Sequence, residues 1–238
     1  MEWDPMKAFV FAALALPTVA MADGASVSFL TEDYAPYSWM EDGQAKGHGV
    51  DLINEVAERA ALSHSVEITK WTRAIALAEK DASTCVFSTA RTAEREAKFQ
   101  WAGPMYVEGT YLIQKSGANA EVSSLEQALT KSIGTQVGDF TVDLLEELGA
   151  AQVDAAPDLE KTMKKLAAGR LDYVILGQES ANALTAADAG LEIAMEVSRD
   201  EYYIACSHDT PAAVVAEIDA AMDSLMADGT QAEIVSRY

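Results

Sequence analysis

The sequence predicts an α/β fold in which mostly parallel strands are flanked by helices. Short apolar strands alternate with amphipathic helices along almost the whole chain, an order typical of parallel sheets covered by helices. Residues 74–87 and 161–175 also share a weak internal repeat of helix, turn and apolar strand. The 238 residues suffice for two small domains with cores of their own. We therefore predict two similar α/β lobes with a cleft between them.

Periodicity assigns the elements at the start of the chain. Residues 26–30 alternate apolar and polar side chains as a half-buried strand does, whereas residues 50–61 place their apolar side chains on one helical face. The other elements predicted in this part are a strand at 66–71, a helix at 73–80 and a strand at 84–88.

Capping residues assign many of the later elements. Ser123 and Glu126 have the spacing of a capping box. Asp158 is a predicted N-cap, and Thr210 followed by Pro211 marks the start of the last helix. The predicted strands are 110–114, 133–136, 153–155, 173–176, 192–197 and 202–207. The predicted helices are 140–148, 158–169, 180–188 and 210–228, with a short helix after Ser123.

The charge balance argues against two classes of partner. The formal net charge is −21, which disfavours binding to nucleic acid and to anionic lipid surfaces. A solvated acidic surface is the simplest interpretation of this excess. Half of the residues are hydrophobic and 23% are charged, an ordinary composition for a globular protein. We therefore expect a folded chain with no nucleic-acid partner.

The N-terminus has the pattern of a secretory signal peptide. Residues 9–20 are almost continuously apolar and end in a small-x-small motif, so we predict a cleavable signal peptide over residues 1–22 and an exported protein. Two acidic residues precede the apolar run, where positive charge is usual, and a start at Met6 would remove them. The alternative is an uncleaved anchor, for which the apolar run is short.

Cys85 and Cys206 are the only cysteines in the chain. In an oxidising compartment such a pair favours a disulfide, and the alternative is two buried thiols. The two cysteines and three scattered histidines lack the spacing of metal ligands. The sequence therefore predicts neither a metal site nor a cofactor.

A candidate binding site follows the strand at residues 84–88. That strand ends in small hydroxyl residues, and Arg91 and Arg95 come directly after it. Strand ends that lead into polar side chains are where α/β folds bind small molecules. An arginine there offers a planar fork of donors that suits a carboxylate. The pattern predicts a receptor for a small solute.

Short motifs from one end of the chain to the other also resemble a known family. They are Tyr34-Ala-Pro-Tyr-Ser-Trp39, Gly47-x-Gly-Val-Asp-Leu52, Thr92-Ala-Glu-Arg95, Phe99-x-Trp-x-Gly-Pro-x-Tyr106, Ile133-Gly-x-Gln-x-Gly138 and Asp228-Gly229. Each motif is loose, but their order is specific. Together they resemble the bacterial solute-binding proteins of the polar amino-acid uptake class, family 3.

The resemblance implies a type II periplasmic-binding fold, in which two lobes are joined by two hinge crossings. Lobe one is predicted as residues 23–107 plus 199–238, and lobe two as residues 108–198. The strands of Cys85 and Cys206 would then be neighbours in lobe one. The resemblance further implies a periplasmic monomer that hands its solute to an inner-membrane ABC permease.

The same resemblance assigns roles in lobe one. Arg95 matches the family's carboxylate-binding arginine, with pairing to a neighbouring glutamate as the alternative. Tyr34 and Trp71 match two aromatic walls that hold the ligand, with core packing as the alternative. Arg73 faces either the cleft or solvent. The residues that line the end of the strand in the family are here Phe87, Ser88, Thr89 and Ala90.

Lobe two departs from the family pattern at two positions. Asp139, after Gly138, stands where serine or threonine is usual, and it is either a helix N-cap or a partner for a cationic ligand group. Gly177 stands where an aspartate usually accepts the α-ammonium group of the ligand. Either Glu179 takes that role, or the ligand has no α-ammonium group.

Two alternatives to a transport receptor stay open at this point. A few relatives are periplasmic dehydratases, and Glu179 or Asp139 could then serve as a general acid. A sensory solute-binding lobe that signals through a partner is the other alternative.

Overall fold

The computed structural model describes residues 26–238. The predicted signal peptide and the alternative start at Met6 lie outside this range. The ten strands are β1 Ser26–Thr31, β2 Trp39–Glu41, β3 Gln44–Lys46, β4 Ser63–Ile68, β5 Thr84–Ala90, β6 Gln100–Lys115, β7 Ser132–Gln136, β8 Gln152–Ala156, β9 Tyr173–Gly177 and β10 Leu191–Cys206. The eight α-helices are α1 His48–Arg59, α2 Trp71–Ala78, α3 Leu125–Ala128, α4 Phe140–Glu147, α5 Leu159–Ala167, α6 Gln178–Ala187, α7 Ala212–Asp228 and α8 Thr230–Val235.

Eight strands form one continuous sheet with the order β4-β1-β5-β10-β6-β9-β7-β8. The outer strands on each side pair in parallel, β4-β1-β5 on one side and β9-β7-β8 on the other. The two central strands pair antiparallel with each other and with their neighbours. The remaining strands, β2 and β3, form a separate hairpin. Each side is therefore a parallel α/β unit, as the alternation of elements predicts.

Strands β6 and β10 connect the two sides of the sheet. Each has 16 residues, and they pair along their whole length. Strand β5 pairs with the end of β10, at residues 202–206, whereas β9 pairs with residues 110–113 of β6. The chain therefore crosses twice between the predicted lobes, along two neighbouring strands. The lobe boundaries at 107/108 and 198/199 fall within these crossings and stay predictions.

The helices cover both faces of each side and form four apolar clusters, one of which also includes a buried residue of α4 from the other side. In lobe one, α1 and α7 pack on the face that contains Phe29 and Phe87, and α2 packs on the opposite face over Val86. In lobe two, Tyr173 and Val174 are adjacent in β9 and belong to cores on opposite faces. Alternate side chains of a strand point to opposite faces, so the inner parallel strands β5 and β9 are buried on both sides, whereas the edge strands β4 and β8 are more exposed.

Cys85 and Cys206 form a disulfide within predicted lobe one. They face each other across the pair of β5 and β10, in register. The two residues are 121 positions apart in the chain, so the bond encloses the whole of predicted lobe two.

Several predicted boundaries differ from the structure for local reasons. The cap of α3 is Ser124, whose side chain accepts from Gln127 N, rather than the predicted Ser123. The predicted strand at 66–71 ends earlier, because Trp71 is the first residue of α2. The separate strands at 192–197 and 202–207 are one strand, β10, which tolerates register shifts within its ladder.

Within residues 26–238, no helix combines the length and the apolar character that a membrane crossing requires. Nor do three or more His, Cys, Asp or Glu side chains in this range cluster closely enough to hold a metal ion.

Candidate functional site

A cavity of about 750 Å³, part of it open to solvent, lies between the two sides of the sheet. Both predicted lobes and the crossing strand β6 contribute to its wall. Seven of the predicted ligand-binding residues line it: Tyr34, Trp71, Ser88, Ala90, Arg95, Asp139 and Gly177. The structure therefore brings these seven residues to one cavity, and their ligand-binding roles stay predictions.

Arg95 is held at the wall by backbone oxygens from both predicted lobes. It is only 7% exposed. Its Nη1 donates to Ala90 O at 3.2 Å, and its Nη2 donates to Gly138 O at 2.9 Å. None of the ion pairs among the described residues includes it, because Glu96 pairs with Arg91 and Glu94 with Lys98. A guanidinium has five N–H donors, so further donors are available to a bound anion.

The two predicted aromatic residues also lie in the cavity wall. Trp71 is buried, its Nε1 donates to Gly138 O at 2.9 Å, and the Arg95 guanidinium lies 5.6 Å from its ring centroid. The Tyr34 hydroxyl accepts from Gly177 N at 3.4 Å. Both aromatic residues therefore contribute an apolar face to the cavity and a polar contact to the other predicted lobe.

The end of β5 presents alternate residues to the cavity. Ser88 and Ala90 line the wall, whereas Phe87 and Thr89 are fully buried and do not. This is the two-residue period of a strand, and it divides the four predicted residues into two pairs. Ser88 has a φ of 57°, and its hydroxyl is buried with no hydrogen-bond partner among residues 26–238.

Three further predicted residues do not line the cavity with side chains. Arg73 is exposed on α2. Gly138 has a φ of 77° and contributes its carbonyl oxygen, which accepts from Trp71 and Arg95. The Glu179 backbone N–H donates to the Tyr37 hydroxyl at 3.2 Å, and its side chain is outside the wall. Their ligand-binding roles stay predictions.

Asp139 fulfils one of the two roles that the sequence leaves open, and its contact with a cationic ligand group stays a prediction. It is the N-cap of α4, where its Oδ1 accepts from Thr141 N at 2.8 Å. The same residue lines the cavity. The cap fixes the position of the carboxylate at the wall.

Sequence reasoning missed two carboxylates in the wall, Glu32 and Glu108. Removal from water raises the pKa of Glu32 to about 8, against the opposing effect of a hydrogen bond from Gln136 of lobe two. Burial likewise raises the pKa of Glu108 to about 8, and a hydrogen bond from the Tyr37 hydroxyl opposes it. Neither residue has a sequence pattern that marks it, because the topology alone brings them to the cavity.

Three tyrosines that sequence reasoning did not assign also line the cavity near Glu108. They are Tyr37, Tyr106 and Tyr202. The rings of Tyr37 and Tyr106 lie 5.7 Å apart between centroids, and those of Tyr106 and Tyr202 lie 5.3 Å apart. Tyr37 and Tyr106 belong to the family motifs quoted above, and these motifs could have identified them as candidate wall residues.

The chain matches the bacterial extracellular solute-binding proteins, family 3, over residues 28–238. It belongs to that family. The match includes both predicted lobes and every residue of the cavity wall. The assignment from the sequence motifs is confirmed.

Two curated relatives of this family 3 protein have assigned ligands. The L-cystine-binding protein TcyJ of Escherichia coli K12 is 22% identical over 151 residues, which are 62% of this chain and 57% of the relative. A probable histidine-binding protein of Campylobacter jejuni is 24% identical over 156 residues, 65% of this chain and 60% of the relative. The alignments thus span less than two thirds of the length of these relatives.

Solved structures of amino-acid-binding proteins share the fold. An ancestral arginine-binding protein bound to arginine has a TM-score of 0.82 at 21% identity, covering 91% of this chain and 99% of its own. ArtJ of Geobacillus stearothermophilus, which binds arginine, lysine and histidine, has a TM-score of 0.80 at 19% identity, with 90% and 94% covered. The predicted two-lobed α/β fold class of this family 3 protein is therefore confirmed.

Proposed function

We propose that this protein captures an amino acid, or a closely related carboxylated solute, in the periplasm and delivers it to an ABC permease. The observation that carries the proposal is the buried guanidinium of Arg95 at the cavity wall. It is fixed by two carbonyl oxygens and takes part in no ion pair among the described residues. A fixed, desolvated donor fork is the group that recognises a carboxylate.

The other wall residues favour an amino acid over a simple carboxylic acid. Glu32, Glu108 and Asp139 bring three carboxyl groups to the wall, together with the single cation Arg95. A solute with one carboxylate and at least one ammonium or guanidinium group complements this set. The relatives named for histidine and arginine are named for solutes of this kind, and the relative named for cystine is named for a solute with two carboxylates and two ammonium groups. We therefore place basic amino acids first among the candidates.

Closure of the lobes follows from contacts that join them across the cavity. The Gly138 carbonyl in lobe two accepts from Trp71 and Arg95 in lobe one. Ser180 donates to Ala35 O, and Gly177 N donates to the Tyr34 hydroxyl. A solute that touches both walls adds its own contacts only when these are formed, and so it favours the closed state.

The test is calorimetric titration with the common L-amino acids and cystine. The carboxylate contact predicts that Arg95→Ala lowers the affinity for the best ligand by at least about 30-fold, the cost of removing one partner of a buried charge pair. Arg95→Lys keeps the charge but loses the fork, and it should also weaken binding.

Arg91→Ala is the matched control, because Arg91 lies four positions away and outside the wall. It pairs with Glu96 and stacks on Trp101. Undiminished affinity in both Arg95 variants would refute the assigned carboxylate contact. Mass spectrometry of the recovered solute separates binding from the dehydratase alternative, since a receptor returns its ligand unchanged. Loss of solute uptake by cells lacking the protein tests delivery to a permease.

A further inference from the structure

We infer that Glu108 accepts an ammonium group of the bound solute and thereby selects solutes that carry both a carboxylate and an N–H cation. The inference rests on the proposed function, because it concerns the same cavity. It assigns a specificity role to the crossing strand β6.

The strand turns Glu108 into the cavity. Neighbouring side chains of β6 point to opposite faces, so Val107 is 50% exposed whereas Glu108 is only 6% exposed. Glu108 also lines the cavity. A carboxyl group so far from solvent is ionised at neutral pH only where partners compensate for its charge.

The partners that the chain itself supplies are neutral. The Tyr37 hydroxyl donates to Glu108 Oε1. No ion pair among residues 26–238 includes Glu108. Burial holds its pKa at about 8, so an adjacent cation is what would keep the group ionised at neutral pH. An ammonium group of the solute is the cation that fits a cavity of this size.

Gly177 leaves the space that the carboxylate occupies. A Cβ atom at position 177 would lie 2.8 Å from Glu108 Oε1 and 2.8 Å from the Tyr37 hydroxyl, closer than such contacts allow. Gly177 has no side chain, and the carboxylate of Glu108 in β6 occupies the space next to it. An acidic group stands at this part of the wall, although position 177 itself provides none.

Tyrosine rings complete the surroundings of a cation. Tyr34 and Tyr37 lie 5.6 Å apart between centroids, and Tyr37, Tyr106 and Tyr202 continue the series at 5.7 and 5.3 Å. Electron-rich ring faces stabilise a cation in a desolvated site. The Tyr106 hydroxyl is buried with no hydrogen-bond partner among the described residues, so it is available to the same N–H group.

A structural role is the alternative, because Glu108 also lies near the start of α6. The N-cap of that helix, Gly177, makes no side-chain capping bond. Discrimination between ligands separates the two roles: loss of a cap lowers stability and affects all ligands equally, whereas loss of an ammonium contact affects only ligands that carry the ammonium group.

The experiment compares Glu108→Gln with Glu201→Gln. Glu201 also accepts from a tyrosine hydroxyl, that of Tyr203 at 2.6 Å, but lies outside the wall. Titrations use the L-amino acid that wild type binds most tightly, its deamino acid and its decarboxylated amine; for arginine these are 5-guanidinopentanoate and agmatine. Glu108→Gln should lower the affinity for the amino acid by at least about ten-fold and leave the affinity for the deamino acid unchanged. Glu201→Gln should match wild type.

Each other outcome overturns the inference in a distinguishable way. If Glu108→Gln loses affinity equally for the amino acid and for the deamino acid, the role of Glu108 is structural. Unchanged preference for the amino acid in this variant means that another group accepts the ammonium. If wild type binds the amino acid and the deamino acid with equal affinity, the proposed ammonium contact does not exist, but the proposed solute capture still stands. A wild type that binds a related carboxylated solute but no amino acid overturns only this inference, whereas one that binds no such solute at all rejects the proposed function itself.

Discussion

Two carboxyl groups, Glu32 and Glu108, make the stability of the unliganded protein depend on pH in an unusual direction. Their pKa values rise from 4.5 to about 8 because the fold removes them from water. Native protein therefore binds more protons than unfolded protein between these two pH values, and the free energy of unfolding falls as pH rises. The stabilisation is complete below about pH 4.5 and is gone above about pH 8.

The measurement is urea unfolding from pH 5 to 8.5, with wild type compared with Glu32→Gln/Glu108→Gln. Wild type should lose stability relative to the double variant across this range. His48 acts in the opposite direction below pH 6.5, because burial lowers its pKa to about 4, but it is common to both proteins and cancels in the difference. Parallel profiles for the two proteins would show that neither carboxyl group titrates abnormally.

Single residues of the cavity wall are predictable from the sequence where a local pattern exists. Arg95 was predictable because a polar turn follows an apolar strand, and Ser88 and Ala90 because the strand ends there. The strand period could have excluded Phe87 and Thr89. Glu32 and Glu108 were not predictable, since one follows β1 and the other lies within β6, and only the pairing of distant strands brings them to one cavity.

Helix α4 depends on an N-cap that is also part of the cavity wall. Asp139 accepts from Thr141 N, as Asp158 accepts from Lys161 N at the start of α5. Asp139→Ala and Asp158→Ala should each lower the free energy of unfolding by about 1 kcal/mol, the usual value of a cap. Only Asp139→Ala should change solute affinity as well, because Asp158 lies outside the wall.

Urea unfolding and calorimetric titration of both variants check this prediction. Asp139→Asn serves as a control, since asparagine also caps helices but has no charge. It should retain most of the stability while showing whether the carboxylate charge contributes to binding. Equal affinities in Asp139→Ala and Asp158→Ala would limit Asp139 to its role in the helix.

Among the elements, those with their own capping or periodicity were predictable and those defined by pairing were not. Asp158 and the apolar face of α1 are local signals, and both elements lie where the sequence placed them. The hairpin of β2 and β3 has three residues in each strand, too few for a periodic pattern. The continuity of β10 is likewise invisible locally, because β6 holds its polar middle section in the ladder.

For the molecule as a whole, the disulfide in predicted lobe one joins the two ends of a long chain segment. Between Cys85 and Cys206 the chain enters predicted lobe two along β6 and returns along β10. A cross-link over 121 residues restricts the unfolded chain far more than the folded one. It therefore stabilises both crossings without contributing an atom to the cavity wall.

Removal of this bond should lower the stability of the protein but leave its affinity for the solute nearly unchanged. A Cys85→Ala/Cys206→Ala variant should lose about 2 to 5 kcal/mol of unfolding free energy, as expected for a native cross-link that closes a long loop. Its affinity for the best solute should stay within about two-fold of wild type, a difference of under 0.5 kcal/mol. Urea unfolding and calorimetric titration measure the two quantities. A reductant should destabilise wild type and leave the double variant unaffected. A large loss of affinity would show instead that the packing between β5 and β10 holds Ser88 and Ala90 in their places at the wall.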